Sequence, residues 1–166
     1  MKKLLGLLML FAFAAVMAHA AESVSVQAEG TAKAKIIQAA TLKHATGAVL
    51  NFGTLIADND GGTSTLEAVA GPTAQDSGIQ RVTADGVSSD HFTLENLDTA
   101  TKYTVAVPAS VTISNGTQTM SVDLTGSADE VTGVGSQDLY VGGTLHVGAN
   151  QAVGQYTGDY TVTVTY

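Results

Sequence analysis

No cysteine occurs in the chain, so thiol catalysis, disulfide bridges and cysteine-based zinc or iron–sulfur sites are excluded. A domain of this length can bury enough surface to fold without disulfide staples. Tryptophan is also absent and other aromatics are few, which leaves little on which a sugar ring could stack. Basic residues are scarce. Beyond Lys2 and Lys3 there are only Lys33, Lys35, Lys43, Arg81 and Lys102, and they are scattered. Phosphate recognition needs clustered Lys or Arg, so nucleic acid is excluded as a partner. The formal net charge is −8, and it falls to −10 once Lys2 and Lys3 are removed. Such a surface favours solubility and discourages unspecific association.

The N-terminus reads as an export signal. Lys2 and Lys3 precede an apolar run from Leu4 to Val16, and Ala18-His19-Ala20 supplies a small-x-small cleavage site before Ala21. The run is short for a bilayer span, and no later segment is longer and equally apolar. The expectation is therefore a cleaved leader over residues 1–20 and one mature domain over residues 21–166.

Period-two alternation dominates that domain. Tyr103, Val105 and Val107 share one face, as do Leu139, Val141, Leu145 and Val147, and then Tyr160, Val162, Val164 and Tyr166. Val24, Val26, Ala28, Ala32, Ala34 and Ile36 also keep one parity, which predicts a strand there rather than a helix. Asn115-Gly116 predicts a two-residue type I′ hairpin with Val111 opposite Met120. Pro108 closes the run before it. About eight to ten short strands at roughly 8–15 residue spacing predict an all-β antiparallel sandwich.

Candidate chemistry is thin. Asp58-Asn59-Asp60-Gly61 has carboxylates two apart, but its glycine comes too early for an EF-hand, and a polar hairpin turn accounts for it. His44, His91 and His146 fall in no metal-binding spacing. Asp90 and His91 point to opposite faces of a strand, and parity puts His146 on the exposed face. Gly86-Val87-Ser88-Ser89-Asp90 fails as a nucleophile elbow, and Gly133-Val134-Gly135 lacks a third glycine. The reading is a non-enzymatic protein with no catalytic residue, no metal and no cofactor.

The termini carry the functional signal. The run Gln155–Tyr166 ends the sequence still strand-like, and the stretch after the cleavage site alternates. A free alternating strand can complete a neighbour's sheet through main-chain hydrogen bonds. The blocks Leu50-Asn51-Phe52-Gly53, Tyr103–Pro108, Tyr140-Val141-Gly142-Gly143-Thr144-Leu145 and Tyr156–Tyr166 resemble a secreted bacterial family catalogued as domain of unknown function 4402. That family is in turn similar to chaperone–usher pilins and spore-coat-U-like subunits, which are incomplete immunoglobulin-like sandwiches finished by the next subunit's N-terminal strand. Such pilins carry a Tyr next to the C-terminus and a Gly 12 residues before it. Here Tyr166 is last, with Gly154 twelve residues earlier. The resemblance implies a surface fibre of like subunits, reached through a periplasmic chaperone and an outer-membrane usher of a Gram-negative envelope. Val24, Val26 and Ala28 would be donated. Gly154, Tyr160, Val162, Val164 and Tyr166 would line the accepting groove. The alternative is a monomeric secreted or periplasmic adhesion module that recognises a glycan or host protein.

Overall fold

A computed structural model describes residues 24–56, 59–83 and 86–166. The expected leader, and Asp58 of the acidic turn, lie outside the described residues. The chain divides at Lys35 into two units.

Residues 24–35 carry no regular secondary structure, and Val24, Val26 and Ala28 are all exposed. This corrects the expected strand. Val24 and Val26 have apolar side chains but no ladder partner, and an unpaired strand has no backbone hydrogen bonds to hold it.

The unit from Ile36 onward is all-β, with no helix among the described residues. Twelve strands form among the described residues, more than expected, because several pairings last only three or four residues. They are β1 (Thr41–His44), β2 (Thr54–Ile56), β3 (Gly62–Leu66), β4 (Gln75–Ser77), β5 (Gln80–Thr83) and β6 (Asp90–Leu97). There follow β7 (Lys102–Ala106), β8 (Ser110–Ser114), β9 (Thr119–Gly126), β10 (Glu130–Thr132), β11 (Gly135–Val147) and β12 (Thr163–Thr165).

The long β11 organises one layer. Its residue Val141 pairs with both Asp90 of β6 and Gly126 of β9, and Gly143 pairs with both Leu66 of β3 and Leu124 of β9. Hence β6 and then β3 run along one edge of β11, while β9 takes the other. β1 extends the sheet beyond β6, β4 beyond β3, and β8 beyond β9. Two smaller sheets, β10-β7-β12 and β2-β5, complete the fold, and every pairing is antiparallel.

Alternation builds two apolar clusters. Leu94, Leu97, Tyr103, Val105, Val131 and Leu139 form the first. Phe52, Leu66, Val122, Leu145 and Val147 form the second. Tyr103 is fully buried, and its hydroxyl accepts the Asp98 N–H at 2.9 Å, so the one polar atom of the ring is satisfied. Gly142 is where the Leu66–Ala68 backbone crosses the sheet. A Cβ there would meet the Leu66 carbonyl at 2.3 Å.

Two local expectations are corrected. The β8–β9 loop has four residues, so Val111 faces Val122 and Ile113 faces Met120. Asn115 Oδ1 accepts from the N–H groups of Thr117 and Gln118 at 2.9 and 2.8 Å, and that Asx turn outcompetes the two-residue loop. The slip is two residues, so every side chain keeps its face. The acidic turn is flanked by strands that do not pair with each other: β2 before it pairs with β5, and β3 after it lies in the large sheet, so the expected hairpin is corrected.

A candidate strand-accepting seam

The C-terminal run is not one long central strand. Thr157 bridges Ser114 on β8 in the large sheet, with bonds of 2.9 and 3.0 Å in both directions. Gly158 allows this approach, since a Cβ would lie 2.4 Å from the Thr112 carbonyl. The chain then leaves that sheet, and β12 pairs with β7, setting Val164 opposite Val105. Crossing between layers splits the run in two.

Among the described strands, β12 has a neighbour on one side only. Val162 and Val164 are half-buried and pack against the first apolar cluster, while Thr163 and Thr165 are exposed. The segment Tyr160–Tyr166 contains only Tyr, Thr and Val. Natural edge strands are usually blunted by charge, proline or a bulge. β1 carries Lys43, β4 carries Asp76 and β10 carries Glu130, while the uncharged β8 has Thr157 bridged to its outer side and the uncharged β2 has a register shift against β5. β12 carries no such device.

Two side-chain links connect the β12 segment with β1, the two lips of the seam: Tyr166 reaches Ala40 just ahead of β1, and Tyr160 reaches Asp90 of β6, which also holds His44. Tyr166 is 58% exposed. Its ring lies 5.2 Å from that of Tyr103, and its hydroxyl accepts the Ala40 N–H at 3.2 Å. Tyr160 is half-buried and donates to Asp90 Oδ2 at 2.6 Å. Asp90 Oδ1 meets His44 Nε2 at 2.6 Å and accepts the His91 N–H at 2.9 Å. Burial, and then the carboxylate beside it, push the Tyr160 hydroxyl far above its ordinary range. A phenol so firmly protonated is a poor base or nucleophile. The six residue steps from Tyr160 to Tyr166 span roughly 20 Å of extended chain.

Of the proposed groove residues, Tyr160, Val162, Val164 and Tyr166 lie along this seam. Gly154 is placed elsewhere, where a Cβ would meet the Asn115 side chain of the β8–β9 loop at 3.1 Å. Sequence reasoning missed Asp90 and His44 here. A polar residue at an inward-facing position of β6 was the available signal.

The other two described histidines also pair across strands. His91 meets Asp138 at 2.9 Å and stacks on Tyr140, and His146 meets Asp123 at 2.9 Å. His146 is exposed, as parity predicts. No group of three or more His, Asp or Glu is set to hold a metal among the described residues. A surface cleft of about 620 Å³ lies between Ile36–Gln38, the end of β6 and Gly135–Ser136. At its wall Asn96 is bulged out of register with φ +62°.

Residues 41–166 match the family described as Domain of unknown function (DUF4402), and the chain belongs to that family. No curated protein matches the chain.

Proposed function

We propose that this member of the family is a non-enzymatic, pilin-like subunit of a bacterial surface fibre, exported on a cleaved leader and assembled from like subunits by β-strand addition. The observation that carries the reading is the uncharged, one-sided β12 edge with half-buried Val162 and Val164. The donor is the segment from Ala21 to about Ala28 of the next subunit. Val24 and Val26 are 87% and 94% exposed, so nearly all their apolar surface is available to bury. Each contributes about 1.5–3 kcal/mol if fully covered. The resemblance to chaperone–usher pilins supplies the assembly partners, a periplasmic chaperone and an outer-membrane usher.

Negative-stain microscopy of the chain from Ala21 tests this. Fibres are expected, and deletion of residues 21–30 is expected to abolish multimers. A stable monomer that the deletion unfolds contradicts the proposal, because the segment would then complete its own sheet.

A further inference from the structure

Asp90 is 6% exposed and faces inward at the first residue of β6, on the same parity as Phe92 and Leu94. A carboxylate in that position costs free energy that an apolar residue would not. Its bonds are distributed so that one group ties three pieces of chain. Oδ2 takes the Tyr160 hydroxyl, three residues ahead of β12. Oδ1 takes His44, the last residue of β1, and the backbone N–H of His91. Both side-chain contacts are 2.6 Å, short in the manner of charge-assisted bonds. β1 and β12 belong to different sheets and are the two lips of the seam.

We propose that Asp90 is a positioning residue of the accepting edge: through Tyr160 and His44 it fixes both lips, so that β12 is held against β7 with its other side open. Its purpose rests on the strand-addition reading, but its structural effect is measurable without assembly. Tyr160 acts as the tether to β12. His44, half-exposed and resting at 4.8 Å from the Phe92 ring, tethers β1.

Amide hydrogen exchange on the chain from Ala21, kept monomeric by dilution, tests the proposal. Tyr160→Phe is expected to speed exchange at Thr163–Thr165 by about tenfold or more, while β9 and the second half of β11 change little. His44→Ala is expected to loosen Thr41–His44 and leave β12 protected. Asp90→Asn is expected to loosen both lips. If Asp90→Asn fails to fold, the other two variants still decide. Unchanged β12 exchange in Tyr160→Phe overturns the proposal. So does an equal rise across all strands, which would mark a merely structural bond. Assembly is followed separately. Wild-type protein that never assembles defeats the fibre reading and leaves the exchange result standing.

Discussion

Arg81, the single arginine of the chain, offers the sharpest stability test. It sits on β5 and reaches across to β4 and β3. Nε and Nη2 clasp Asp76 bidentately at 2.8 and 2.7 Å. Nη2 also donates to Ser64 Oγ at 2.8 Å, and Nη1 donates to the Phe52 carbonyl. The paired side chains keep only 12% and 19% of their exposure, and Ser64 is fully buried. Arg81→Met fills similar space but removes the donor of Ser64 and the Phe52 carbonyl and leaves Asp76 only its bond from Ser64. Asp76 lies on an exposed strand, so most of the cost comes from the buried Ser64 and Phe52 acceptors, about 1–3 kcal/mol in all. With a urea m-value of roughly 2 kcal/mol/M, the midpoint drops by about 1 M. The guanidinium bond also holds the Asp76 carboxyl below its usual range. A lowered folded-state value adds stability above the unfolded value of about 3.9, which is lost as pH falls further. Wild-type protein should therefore weaken below about pH 4, and Arg81→Met should lack that part of the slope. A midpoint shift equivalent to less than about 1 kcal/mol, or an unchanged acid slope, would refute the reasoning.

Three further outcomes are expected. Leu94→Ala empties a site only 1% exposed in the first cluster and should cost about 2–5 kcal/mol in a denaturation series. Gly142→Ala should cost about 1–3 kcal/mol or prevent folding, because the intruding methyl meets backbone of Leu66–Ala68 that has no rotamer to change; a neutral outcome would contradict that close approach. At alkaline pH the unfolded chain ionises Tyr160 near pH 10 while the folded chain keeps it protonated, so stability should fall as pH rises above about 10. Tyr160→Phe should flatten that fall, and an identical slope in the variant would show that Tyr160 titrates normally.

Much of the fold was legible because parity survives errors of register. Leu139, Val141, Leu145 and Val147 are all buried, as their alternation requires. The β8–β9 hairpin was placed with its pairing two residues off, and the faces still came out right. Length and continuity were less legible. Gln155–Tyr166 reads as one strand, yet Gly158 and the change of layer divide it. Val24–Ile36 alternates like a strand, but pairing is a property of the partner, and none is supplied within residues 24–35. The Asp90 cluster is hidden in the sequence for a related reason. His44 and Tyr160 lie 46 and 70 residues from Asp90, and only the folded topology brings them to one carboxylate. Arg81 was counted as a scattered charge, because nothing local marks Ser64, Asp76 and Phe52 as its partners.

The absence of native cysteine makes the central claim directly testable. Two single-cysteine variants of the chain from Ala21, Val26→Cys and Val164→Cys, are mixed under mild oxidation and run on a non-reducing gel. Strand addition at the β12 edge predicts a disulfide-linked heterodimer from the mixture, and a ladder of multimers from the doubly substituted chain. Folded variants that yield no heterodimer would contradict it.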